Sequence, residues 1–287
     1  MKNNSISKNK KLLRFGVFML FLICGLLVFF INLTFTDAIP QKVGLILKIG
    51  LVIIFLASSM LLYRNKHLEK YWKVFFAFFV ASVAIFLSLY LSNWGLRILN
   101  LKINTLNGIT IDKLLEDLVI IVCIMALIKI SRDDRASIYM TKGNLRLGLI
   151  IGVISFSGLF LVTLFLTSIQ NISFATFISL TPSIIIIALA DGFMEELLFR
   201  GLFLKRFEPF VGAKLSILLT ALIYSLAHLQ VTFTPNLSIF LIATFFLGLL
   251  WAYIIQKTGS ILGAALFHAG VDTLIVLDFL ASYGVMQ

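Results

Sequence analysis

Charge is scarce in this 287-residue chain: Asp, Glu, Lys and Arg make up 13% of it, against roughly 25% in a soluble domain. That shortage excludes an ordinary soluble fold, and a mean hydropathy of +1.06 agrees. Cysteine is almost missing. Cys24 and Cys123 lie in separate apolar segments without CxxC or metal-like spacing, and both read as buried small hydrophobes. No Gly-rich phosphate loop, basic helix or aromatic RNA-binding signature is present, which argues against nucleotide and nucleic-acid partners despite the net charge of +11. There is also no internal repeat, low-complexity tract or soluble domain. What fills the chain is apolar residues, 60% of the total. The fold class expected is all-α, a polytopic transmembrane helical bundle of about eight or nine spans around an intramembrane cavity.

A membrane helix needs about 20 mostly apolar residues. Nine segments qualify, near 15–35, 43–63, 72–92, 114–130, 145–169, 178–204, 214–231, 237–256 and 260–281. The run Phe15 to Phe35 is too long for a cleaved signal and reads as a retained anchor. The fourth segment is the weakest, since it is short and opens with Glu116 and Asp117; the stretch 97–113 reads as a surface or loop segment. Basic residues gather in the N-terminus and in alternate connections, among them Arg64, Lys66, Arg132, Arg135, Lys205, Arg206 and Lys257, while the loops at 170–177 and 231–236 carry no charge and that at 36–42 is nearly neutral. The positive-inside rule therefore places the N-terminus in the cytosol. The polar link 131–144 separates residues 1–140, expected to be accessory spans, from 141–287, expected to be the working core.

Ionisable groups are costly at membrane depth and tend to face interior cavities and carry function. The sixth segment holds Asp191, Glu195, Glu196 and Arg200, and two of the only three histidines, His228 and His268, fall in later segments, the second with Asp272. At about 1.5 Å per residue, Glu195, His228, His268 and Asp272 lie roughly 15, 21, 16 and 22 Å from the cytosolic edge. Four groups on three helices thus share one band near the midplane.

Spacing within the helices divides the roles. Glu196 and Arg200, at i,i+4, form a charge-cancelling pair. Glu195 points about 100° away and shares its face with Asp191, so it is the carboxylate left for chemistry. His268 and Asp272, also at i,i+4, look into one cavity. Peptide hydrolysis needs a base for water, an acid for the leaving amine and donors for the oxyanion. A carboxylate out of bulk water is a stronger base, His228 can share the water and return the proton, and His268 can donate to the oxyanion with Asp272 placing it. The same side chains are suitable zinc ligands, with Glu195, His228 and His268 as the set, although HExxH is missing.

These residues resemble the CAAX-protease and bacteriocin-processing (CPBP, or Abi) family of intramembrane proteases, which includes the type II CAAX prenyl endopeptidases. Its EExxxR motif corresponds to Glu195, Glu196, Leu197, Leu198, Phe199 and Arg200; its FxxxH to Tyr224 through His228, with Tyr in place of Phe; and its third motif to His268 and Asp272. The similarity covers about residues 178–280. It implies that Glu195 and His228 activate water, that His268 and Asp272 form the oxyanion region, and that Glu196, Arg200 and Tyr224 support them. It favours a glutamate-dependent mechanism requiring no cofactor, with zinc as the alternative.

The function expected is therefore an intramembrane endopeptidase acting on a membrane-tethered, lipidated or hydrophobic peptide in a prokaryotic plasma membrane. The rivals are a non-catalytic bacteriocin-immunity or peptide-binding protein and, from another class, a proton-coupled transporter. Outside the cluster the expectations are ordinary. Asp191 reads as helix packing behind the site, His67 as solvated loop, Asp278 as an interfacial residue, and the many Phe residues as apolar surface.

Overall fold

The computed structural model describes residues 2–34, 40–169 and 172–285. Among these the protein is all helical. In chain order the elements are α1 (Lys2–Phe29), α2 (Gln41–Arg64), α3 (Trp72–Ile98), α4 (Leu106–Ile130), α5 (Leu145–Ile169), α6 (Phe174–Glu195), α7 (Leu204–Val211), α8 (Ala213–Ala227), α9 (Leu237–Thr258) and α10 (Leu262–Ser282). A π-helical stretch, Glu196–Gly201, continues α6, and another, Phe30–Thr34, follows α1.

Polar residues fix where several of these helices start. Thr105, Asn144, Ser173 and Asn236 each accept, at 3.1 Å, the backbone N–H of the residue three positions on. Such caps satisfy one of the N–H groups that a first helical turn leaves without an intrahelical partner. In lipid no water is present to do it.

Seven helices among the described residues are long and apolar enough to cross a membrane, against the eight or nine expected, and the chain is a multi-pass membrane protein. The two shortfalls have physical causes. Instead of running over 214–231, α8 stops at Ala227, giving a shorter apolar helix. The residues that follow include the β-branched Val231, Thr232 and Thr234 and then Pro235, all poor helix formers. The fourth segment is not short, because α4 begins at Leu106 and absorbs part of the stretch 97–113 read as a surface or loop segment. It fails on composition instead, carrying Asp112, Lys113, Glu116, Asp117 and Lys129. The connections at 36–42 and 170–177, and the end of the first run at Phe35, lie partly outside the described residues.

By contacts the chain forms two compact units, one of Met1–Val83, Leu202–Val231 and Asn236–Ala252, the other of Ala84–Gly201, Thr232–Pro235 and Tyr253–Gln287. This partition does not follow the 140/141 line drawn from the sequence.

In the first unit the core is aromatic. Phe21 stacks on Phe207 at 5.0 Å, and Phe78 lies 5.0 Å from Phe203, which stacks on Phe207 at 5.4 Å. Offset ring pairs of this kind add to simple area burial.

The second unit is held by close helix approach. A Cβ on Gly263 of α10 would come within 2.6 Å of the Gly148 carbonyl on α5, one on Gly270 within 2.8 Å of Phe156 Cα, and one on Gly192 of α6 within 2.7 Å of the Ala269 nitrogen. Small residues at such crossings let backbones touch, which is how helices associate where lipid and side chain are equally apolar. Thr163 and Thr273 add a hydroxyl pair at 2.9 Å between α5 and α10. Farther along, Ile109, Phe177, Ile184, Ile187, Val276 and Leu280 bind α4, α6 and α10 into one apolar cluster. These three helices carry the polar site.

Candidate active site

Within the second unit the end of α6, the π-helical stretch and α10 bring four of the expected residues together around one imidazole. Glu196 lies at the start of the π-helical stretch, fully buried, and its Oε1 accepts from Arg200 Nη1 at 3.1 Å. The same Oε1 lies 2.9 Å from His268 Nδ1. On the other side of the ring, His268 Nε2 lies 3.4 Å from Glu195 Oε2 and 3.6 Å from Asp272 Oδ1. The wider turn of a π-helix, a feature frequent at functional sites, re-aims successive side chains. Here the two adjacent glutamates address opposite edges of a single ring.

Exposure separates the acids. Glu196 is closed off at 0% side-chain exposure, whereas Glu195 keeps 17% and Asp272 keeps 11%. The first can bind only protein groups; the other two can reach a water or a substrate.

This arrangement differs from the expectation in one respect. Glu196 was assigned to Arg200 alone, and it also holds His268. With a carboxylate at each nitrogen, the ring has an acceptor for a proton on either side. Its Nε2 edge is the one that opens toward the less buried acids.

Behind this centre lie Asp191, expected there as helix packing, and charges of α4 that had no expected place at the site. Asp191, one turn before Glu195, pairs with Lys113 of α4 at 3.6 Å. Lys113 also meets Glu116 at 3.4 Å. Asp117 is fully buried, and neither of its carboxylate oxygens has a hydrogen-bond partner among the described residues. The signal was in the sequence: acids and a lysine at 112, 113, 116 and 117 recur at the i,i+4 spacing of one helix face.

His228 and Tyr224 belong to the first unit. His228 caps the C-terminal end of α8, with Nδ1 2.8 Å from the Tyr224 carbonyl. A carbonyl only accepts, so Nδ1 carries the proton and the lone pair of the neutral ring sits at Nε2. The Tyr224 ring, 3% exposed, packs edge-on against Trp251 at 5.8 Å.

Among the described residues no group of three or more His, Cys, Asp or Glu side chains is arranged to hold a metal ion. His268 already has carboxylates at both nitrogens. Cys24 and Cys123 are free thiols, the first buried, and His67 and Asp278 are exposed.

The acids of α6, its π-helical continuation and α10 gathered at one imidazole agree with the family comparison. Residues 177–274 match the type II CAAX prenyl endopeptidase Rce1-like family. Those residues, about a third of the chain, form an Rce1-like domain. No curated protein and no solved structure matches the chain. The Rce1-like domain spans α6, the π-helical stretch, α7, α8, α9 and most of α10, so it contains both glutamates, both histidines and Asp272. α4 lies before it.

Proposed function

We propose that the chain is an intramembrane endopeptidase that hydrolyses a peptide bond in a membrane-associated, lipidated or hydrophobic substrate, with Glu195 as the base. The observation that supports this most strongly is the His268 ring flanked by Glu195, Glu196 and Asp272, all within 3.6 Å, in a protein of membrane-spanning helices. A structural cluster has no need of two acids that keep 17% and 11% exposure beside one that is sealed.

In this reading a water beside Glu195 loses a proton to its carboxylate as the oxygen attacks the scissile carbonyl carbon. The carbonyl π-electrons move to the oxygen, and the oxyanion accepts from His268 Nε2–H. Glu196 keeps the ring oriented through Nδ1, and Arg200 balances the buried charge of Glu196. Asp272 steadies the Nε2 edge. The proton then passes to the departing amine as the C–N bond breaks. Glu195 can supply it; the resemblance of Tyr224–His228 to the family's second motif assigns His228 to the same proton traffic. The working core is 141–287, with the N-terminus cytosolic and the protein resident in a prokaryotic plasma membrane.

The test is cleavage in detergent of a quenched farnesylated CAAX-type peptide and of an unprenylated hydrophobic peptide, by wild type and Glu195→Gln. Cleavage of either by wild type, reduced at least about 100-fold in the variant, supports the assignment. Undiminished cleavage by Glu195→Gln refutes it, and specific peptide binding without cleavage favours the immunity-type reading.

A further inference from the structure

The Rce1-like domain begins at residue 177, yet the helix that carries its second motif is gripped by the first helix of the chain. Within the first unit, Arg14, Phe21 and Gly25 follow one another at i, i+7 and i+11, which puts them on one face of α1. All three engage α7 or α8. Arg14 Nη2 donates to the Val211 carbonyl at the end of α7, where Gly212 turns the chain, with φ +81°, into α8. Phe21 stacks on Phe207 at 5.0 Å and meets Phe210 edge-on at 5.5 Å. Gly25 lies against Ile223: a Cβ on it would come within 2.5 Å of Ile223 Cδ1, 2.9 Å of Cγ1 and 3.4 Å of Cγ2. Gly212 and Ile223 are as far apart along the chain as Arg14 and Gly25, so α1 and α8 run parallel and in register.

Ile223 is 1% exposed and immediately precedes Tyr224, whose carbonyl lies 2.8 Å from His228 Nδ1. α8 has 15 residues, about 22 Å of helix, less than the roughly 30 Å of a bilayer's hydrocarbon core. Its own length therefore does not fix its depth; packing against neighbouring helices does. We propose, resting on the reading of His228 above, that α1 is a positioning element of the hydrolytic machinery: Gly25 seats Ile223 and thereby sets the height and rotation at which α8 presents His228. An isoleucine in a helix keeps one strongly preferred χ1 rotamer, so Ile223 has no low-energy way to swing aside. Bulk at position 25 pushes α8 as a body, and misplacing a reacting group by about 1 Å costs on the order of 100-fold in rate. The first span then belongs to the working enzyme, although it lies outside the Rce1-like domain.

The experiment measures kcat and KM per folded molecule, in detergent, with the quenched peptide that wild type cleaves. The variants are Gly25→Val and Gly25→Val with Ile223→Ala, the second of which removes as many side-chain carbons as it adds. Gly25→Val lowers kcat about 10- to 100-fold with KM within about twofold of wild type. The double variant, which restores the packed volume, recovers kcat to within about threefold of wild type. Gly16→Val, the same change on the same helix where nothing lies within 4 Å of the added Cβ, leaves both constants unaltered. If Gly25→Val does not accumulate folded, the milder pair of Gly25→Ala alone and Gly25→Ala with Ile223→Val carries the same loss and recovery. A merely structural contact would lower folded yield and leave kcat per folded molecule alone. That result, or a double variant no faster than Gly25→Val, overturns the proposal. Failure of the underlying reading shows separately, as full turnover by His228→Ala.

Discussion

Replacing Glu196 by alanine tests the most tightly built contact of the site. One carboxylate oxygen accepts from Arg200 at 3.1 Å and meets His268 Nδ1 at 2.9 Å, and Glu196 and Arg200 are both 0% exposed. The substitution removes the carboxylate shared by a buried guanidinium and one edge of an imidazole. Breaking a buried pair by removing one partner costs about 3–5 kcal/mol. For a chain of this size that lowers the apparent melting temperature by roughly 6–20 °C. The assay is thermal unfolding of detergent-purified protein, followed by intrinsic fluorescence and by loss of monodisperse material. Arg200→Met supplies the second arm, because removing both charges leaves neither uncompensated. The double variant should therefore be more stable than the sum of the two losses, with a coupling of at least about 1 kcal/mol. A melting temperature for Glu196→Ala equal to wild type, or losses that simply add, would refute the view that this pair stabilises the fold.

Other outcomes follow from the same geometry. Gly263→Leu should cut folded yield sharply, because even a Cβ would lie 2.6 Å from the Gly148 carbonyl; Leu45→Ala, at a 38% exposed position on α2, is the matched control. Expression and size-exclusion profiles read this out. Thr273→Val removes the Oγ partner of Thr163 at 2.9 Å, and should lower the melting temperature by only a few degrees, since interhelical hydrogen bonds in membranes average about 0.6 kcal/mol. Treating the active protein with a chelator should leave cleavage within about twofold of the untreated sample, given that the reaction derived from Glu195 and His268 uses no metal; abolition by chelator and recovery on adding zinc contradicts that derivation.

Much of this was legible from residue order alone. Length and apolarity delimit most of the membrane helices, because backbone groups in lipid must be satisfied within a helix and the chain has to run about 20 apolar residues to cross. The three motif positions in 177–274 were visible for a related reason: acids and imidazoles are rare at that depth, so each one stands out. Three things were hidden. The end of α8 at Ala227 depends on β-branched and proline residues whose effect is weaker than the apolar run that precedes them. The contact of α4 with α6 was hidden because its charges read only as a weak span, while one of them, Lys113, pairs with Asp191. That Glu196 serves both Arg200 and His268 was also beyond reach, since helical spacing of 3.6 residues does not describe the π-helical turn that aims it.

The central claim is that water, set by Glu195, attacks the peptide bond directly. A single turnover by excess enzyme in water enriched in ¹⁸O tests it, with mass spectrometry of the new C-terminal carboxyl group. Direct attack by water puts one ¹⁸O in that carboxyl from the first turnover, and Glu195→Gln gives no product. A first-turnover product carrying only ¹⁶O, with the label appearing in the enzyme's own carboxylate, would mean that a side chain rather than water makes the attack.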